Sequence, residues 1–144
     1  MGRAEEVREL TSDGANGGWL RFDGSRLAEE RGARYARLGR LDLAEATLQE
    51  ALQYQEALQY QALASGQSLR RRGAVLTDLA AIGVQRRDSE QALSYGREAV
   101  ELARASSSGY IARRLRDLCD EFGPLSRDHR VAELGAEIAT LSTP

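Results

Sequence analysis

Apolar residues recur at helical spacing along most of the chain, and short polar or glycine-bearing stretches interrupt them. Arg3 to Leu10 reads as a short helix with Val7 and Leu10 on one face. TSDGANGG, Thr11 to Gly18, breaks it and reads as a linker or turn. Trp19, Leu20 and Phe22 form the densest aromatic patch. They stand just before an expected helix start at Asp23 or Ser25, where an apolar residue often staples the incoming chain. The first long helix is expected from about Ser25 to Leu38, with Leu27, Tyr35 and Leu38 apolar, Gly32 and Ala36 small, and Gly39 as the stop. Asp42 is the expected cap of the next helix, on which Ala44, Leu48, Ala51, Leu58 and Ala62 fall within about 40° of one line. Ser65-Gly66 ends that stripe. A third helix is expected from Ser68 to Val84, with Leu69, Val75, Leu76, Leu79, Ala80 and Ile82. The fourth starts at Asp88 or Ser89 and carries Ala92, Leu93, Ala99, Val100 and Leu102. SSSG, Ser106 to Gly109, opens a fifth with Ile111, Leu115, Leu118 and Phe122, and Gly123-Pro124 closes it. The last, near His129 to Leu141, stripes Val131, Leu134, Ile138 and Leu141. The fold class is therefore all-α, with about six helices joined by short turns.

One stretch breaks the period. In ALQYQEALQYQAL, Ala51 to Leu63, the pentad ALQYQ recurs after six residues. Six residues turn a helix by about 600°, so the second copy faces about 120° away from the first. Gln55 falls inside the apolar stripe while Tyr60 points nearly opposite it. Two outcomes are open: the distal half projects, or the helix breaks near Gln53. Tyr54, Gln55, Tyr60 and Gln61 then read either as a solvated overhang or as a contact surface, self-association included.

Composition narrows the class. A chain of 144 residues suits a domain with a real core. Its net charge of −2 supplies no field drawing it to nucleic acid or anionic lipid. Every basic residue is arginine, which fits a GC-rich coding bias such as an actinobacterium's. The lone cysteine, Cys119, excludes an internal disulfide and fits a reducing cytoplasm. No leader pattern and no long apolar run is present, so neither secretion nor membrane association is expected.

Candidate chemistry is sparse. His129 is the only histidine, so no histidine pair can hold a metal, and no cysteine–histidine pair lies close in sequence. Cys119 reads as a structural thiol beside Leu118. Phosphate-binding loops, dinucleotide fingerprints and nucleophile elbows are absent from the sequence. No catalytic activity, cofactor or metal is expected. Two arginine clusters, Arg70 to Arg72 and Arg113, Arg114 and Arg116, read most simply as solvated faces. Arg70 to Arg72 could alternatively receive an acidic peptide, phosphate or nucleic acid.

Two stretches share a plan. LAEERGARYARLGRLDLAEATLQEAL, Leu27 to Leu52, and LTDLAAIGVQRRDSEQALSYGREAV, Leu76 to Val100, are each helix, tight polar turn, helix. Small residues recur at matching places: Gly32, Ala44 and Ala51 in one, Ala80, Ala92 and Ala99 in the other. This resembles the tetratricopeptide repeat, a helical hairpin in which small residues let paired helices approach. Tyr35, Gly39 and Leu48 also match the first copy. The second copy departs from the pattern. Arg87 stands for the turn glycine, Gly83 for the usual aromatic and Gly96 for a bulky residue. Its hairpin is expected to pack less well, or against something else. Ala44 and Ala92 lie 48 positions apart against a repeat of 34, and one copy of ALQYQE accounts for six of the excess. With Ile111 to Leu141 as a divergent closing hairpin, the resemblance implies a stack of about three hairpins over residues 19–144. Residues 1–18 are then a short helix and flexible linker.

The resemblance also implies a partner-binding groove lined by the first helix of each hairpin. Its residues would be Arg26, Glu29, Glu30, Ala33, Ala36 and Arg37, then Ala74, Thr77, Asp78, Ala81, Val84 and Gln85. Glu30 and Asp78 stand where family members that clamp a terminal carboxylate need positive or amide groups, so that ligand is not expected. More loosely, WLRFDGSRLAEERGARYARLGR and SSGYIARRLRDL are similar to the C-terminal repeat domain of actinobacterial helix-turn-helix transcriptional regulators. Nothing in Met1 to Gly18 builds a DNA-reading unit, and no direct nucleic-acid contact is expected. The implied function is non-catalytic protein–protein interaction, as the sensor or oligomerisation part of a regulator lacking its DNA-binding half. The alternative is a freestanding adaptor that senses a peptide or small ligand. The partner is a protein or peptide, with a homodimer left open.

Overall fold

The computed structural model describes residues 17–61 and 66–141, with side chains described for 26–57 and 68–141. The described residues form helices joined by short turns, with no strand among them. The helices are α1 (Gly17–Arg37), α2 (Leu41–Gln61), α3 (Gly66–Gln85), α4 (Ser89–Ser106), α5 (Gly109–Asp120) and α6 (His129–Ala139), with a 3-10 turn at Gly123–Arg127 between the last two. The chain divides into two compact units, Met1–Ala62 and Leu63–Pro144. The expected helix at Arg3 to Leu10 and most of the expected linker lie outside the described residues.

The first unit is the hairpin of α1 and α2. Its helix α1 begins at Gly17, not at Asp23 or Ser25. A lone interior glycine, Gly24, costs a helix only about 1 kcal/mol, too little to end it. Asp42 likewise sits inside the first turn of α2 rather than capping it, where its charge still suits the helix dipole. The turn between them is a Schellman closure. Gly39 takes φ of +76°, its N–H donates to Ala36 O at 3.0 Å, and the Arg40 N–H donates to Tyr35 O at 2.9 Å. The small-residue face is the packed one: Ala44, Leu48 and Ala51 are fully buried, Ala28 and Gly32 are buried, and Tyr35 is half-buried. A Cβ on Gly32 would stand 2.5 Å from Leu48 Cγ, so this glycine is where α1 admits the α2 leucine.

The expected break near Gln53 does not occur, and α2 is one helix of 21 residues, equal in length to α1. Gln55 is neither overhang nor contact surface. It is buried, and its Nε2 donates to Glu29 Oε1 at 2.7 Å, which offsets the cost of a polar group inside the apolar stripe. Its Oε1 is buried without a partner. Tyr60 and Gln61 have side chains outside the described set.

The second unit packs α5 and α6 onto the hairpin of α3 and α4, with α5 touching both α3 and α4, and α6 touching α4 and α5. The turn from α3 to α4 repeats the first closure in a costlier form. Arg87 occupies the left-handed position at φ +56°, with its N–H donating to Val84 O and that of Asp88 to Gly83 O. Asp88 then caps α4, its carboxylate accepting from Gln91 N at 3.1 Å. A left-handed side-chain-bearing residue costs about 1–2 kcal/mol. Arg87→Gly is therefore expected to stabilise this unit by about 1 kcal/mol, read as a higher midpoint in urea unfolding followed by circular dichroism.

The missing bulk of the second hairpin is supplied from elsewhere. Gly83 lies against the backbone of α4, where an added Cβ would stand 2.7 Å from Ala92 N. Gly96 receives Leu134 of α6, and Gly73 receives Ile111 of α5, with added Cβ atoms at 2.8 and 2.5 Å from them. Of the two expectations for this hairpin, packing against something else is the one observed. Ala80, Ala92 and Ala99 are fully buried, as are Leu79, Ile111, Leu115 and Ile138. Ser108 caps α5 through Ile111 N and Asp128 caps α6 through Arg130 N.

Candidate functional site

A cleft of about 250 Å³ opens between α3 and α5, lined by Thr77, Asp78, Ala81, Arg114, Asp117, Leu118 and Glu121. Three of these, Thr77, Asp78 and Ala81, are groove residues expected from the sequence. They stand at intervals of one, three and four positions, which puts them on one face of α3. The close seat of Ile111 on Gly73 brings α5 down beside that face one turn earlier.

The expected groove residues do not all serve as recognition groups. Thr77 is buried, and its Oγ1 donates back to Gly73 O at 2.7 Å, so it forms wall rather than contact. Asp78 is engaged by Arg114, whose guanidinium also reaches Ala74 O at 3.4 Å. Val84 is buried and Gln85 is exposed, with neither lining the cleft. In the first unit Arg26, Glu30 and Arg37 are exposed, Ala33 and Ala36 half-buried, and Glu29 is turned to Gln55 on α2 rather than offered to a partner.

The α5 wall lay outside the sequence expectation. Arg114 and Arg116 are not a solvated face. Arg114 ties α5 to α3, and Arg116 donates to Leu141 O at 2.6 Å past the end of α6. Arg113 alone of the three is exposed. The carboxylates of Asp117 and Glu121 are exposed on the cleft rim, one turn apart, with buried Leu118 between them as apolar floor. Neither makes a side-chain hydrogen bond or ion pair among the described residues. The signal in the sequence was the order of charge along α5: arginines first, acids at the C-terminal end, against the helix dipole.

Burial, with the Asp120 charge beside it, pushes the Cys119 thiol above its ordinary value. A raised pKa leaves less thiolate at neutral pH, and the thiolate is the nucleophile. Alkylation by iodoacetamide is expected to be slower in the folded chain than in the urea-unfolded one, with its pH midpoint displaced upward. Equal rates would contradict this environment. His129 is exposed and pairs only with Glu133, at 2.8 Å one turn along. Among the described residues no group of acids, histidine and cysteine could hold a metal, and no helix is long and apolar enough to cross a membrane.

A second hollow of about 240 Å³ lies where the α4–α5 turn meets the end of α6, lined by Arg104, Ser107, Ser108 and Thr140 among others. Three of its polar groups are committed internally: Ser108 caps α5, Thr140 Oγ1 donates to Glu137 O, and Arg104 faces Glu137 at 3.7 Å. Of these two hollows, the α3–α5 cleft is the one lined by charged groups unpaired among the described residues. No protein-family model matches the chain, and no curated protein or solved structure matches it significantly.

Proposed function

We propose that this chain is a non-catalytic protein-interaction module of tetratricopeptide type, which holds a peptide segment of its partner in the cleft between α3 and α5. We place it as the sensor or oligomerisation part of a transcriptional regulator, on the likeness of the Trp19 to Arg40 and Ser107 to Leu118 segments already described. The observation that carries the interaction reading is the cleft itself. It lies between α3 and α5, the first helices of two successive hairpins, and in the repeat that this chain resembles the first helices line the peptide groove. Supporting it, the small residues that resemble the repeat, Gly32, Ala44, Ala51, Ala80, Ala92 and Ala99, are all at buried helix contacts.

The alternative, a small-ligand sensor, is less well served. Pockets for drug-sized ligands measure roughly 300–1,000 Å³. A cleft of about 250 Å³ suits one or two side chains of a longer segment.

The test is selection of displayed peptides on the immobilised full chain, then mapping by amide chemical-shift perturbation. Shifts clustered at Thr77, Ala81, Asp117 and Leu118 are the expected outcome. Failure to select any peptide, or shifts confined to other faces, would refute the proposal.

A further inference from the structure

We infer that the cleft is selective for a cationic segment: a partner peptide that seats an arginine or lysine between Asp117 and Glu121 and rests an adjoining apolar residue on Leu118 and Ala81. This rests on the interaction reading above and adds the chemistry of the partner. Four charged groups line the cleft. Arg114 and Asp78 are spent on each other, which leaves the two rim carboxylates as the field a partner meets. An anionic segment would find no uncommitted cation in the cleft and two like charges at its mouth. The cation–carboxylate match is the favourable encounter.

The place of these carboxylates on their helix is also unfavourable, as is that of Asp120 beside them, and only Asp117 and Glu121 line the cleft. Asp117 and Glu121 lie in the last turn and at the cap of α5, the end of a helix that disfavours negative charge, and no basic residue in that turn answers them. Among the described residues their side chains make no bond that compensates. Asp42, Glu90 and Asp128 show the opposite habit, each at the start of a helix where its charge is favoured.

The experiment compares three labelled, amidated peptides of alternating Leu, Gly and one variable residue, Arg, Gln or Glu, by fluorescence anisotropy with the full chain. The Arg peptide is expected to bind most tightly, and its affinity to fall as salt is raised. Asp117→Asn with Glu121→Gln should weaken it roughly fivefold to tenfold, the effect of two exposed ion pairs. Removing these charges relieves the helix end, so a folding defect would not be the cause, and circular dichroism checks it. Asp120→Asn, the same charge change off the cleft, should leave binding within about twofold. If the Gln or Glu peptide binds in the cleft as well as the Arg peptide, cationic selectivity is overturned while the interaction reading stands. If the Arg peptide binds but ignores the double substitution, the assignment to these carboxylates is overturned. If none of the three binds at any salt concentration, both readings fall.

Discussion

Truncating Leu134 to alanine is expected to cost about 3 kcal/mol, the largest loss from any single substitution considered for this protein. Leu134 is all but fully buried and projects from α6 onto Gly96 of α4, where glycine stands in the place of a bulky residue. The side chain therefore fills a space that the second hairpin leaves open. Its removal forfeits the transfer of a buried leucine and leaves a cavity floored by a residue with no side chain to collapse into it, and large-to-small changes of this kind cost about 2–5 kcal/mol. The matching gain has a clear readout. Gly96→Ala in the Leu134→Ala background should recover part of the loss, whereas Gly96→Ala alone should destabilise, because its Cβ would stand 2.8 Å from Leu134 Cδ2. Urea unfolding of the four proteins closes a double-mutant cycle. A cycle with no coupling would show that α6 does not complete α4 in this way.

Gly83→Ala is the second large effect, and its sign depends on what the methyl group meets. Helix propensity favours alanine over glycine by about 1 kcal/mol. Here the new Cβ would lie 2.7 Å from the backbone nitrogen of Ala92 and 3.0 Å from Gln91 Cβ. A side-chain tip can rotate away, but a helix backbone moves only as a unit, so α3 and α4 must separate. Overpacking of a buried contact costs about 1–3 kcal/mol, and separation also stretches the Gln91 Nε2 bond to Leu79 O, now 3.1 Å. A net loss of about 2 kcal/mol is expected. A thermal midpoint equal to or above that of the unsubstituted chain would contradict the close approach.

These two glycines show how far sequence reasoning reached. Gly83 and Gly96 were visible as departures from the aromatic and bulky residues of the repeat, and their places in the second hairpin follow from the alanines at Ala80, Ala92 and Ala99. What they touch was not visible. Periodicity reports which side of a helix is covered but carries no label for the helix that covers it, so Leu134 and Ile111 read only as core residues of their own helices. The same limit hid the cleft. Arg114 has the composition of a solvated arginine, and only the descent of α5 beside α3 turns it toward Asp78 and Ala74. Thr77 failed in the reverse sense: its helix position suited the groove, but its side chain is buried and its hydroxyl turns back to Gly73 O.

Gln55 carries a related lesson. A glutamine in an apolar stripe reads as a fault in the pattern, and both expectations drawn from it moved the fault out of the core. The fold kept the residue inside and matched it with Glu29, a residue twenty-six positions earlier that had been assigned to the opposite task. Side-chain pairing across a hairpin is a property of two helices, and neither stripe alone encodes it.

The duplicated ALQYQE segment has a consequence for the first hairpin. A screw displacement of α2 by six residues superimposes one copy on the other, and Gln61 would then present to Glu29 the amide that Gln55 presents now. By that pairing alone the helix is degenerate with itself. The seat at Gly32 removes the degeneracy: the same displacement would bring Tyr54 where Leu48 now fits, and a phenol ring is too wide for a notch cut to one leucine. The displacement would also carry Glu50 into the place of fully buried Ala44, so the residues before the duplication decide which of the two alignments this hairpin adopts.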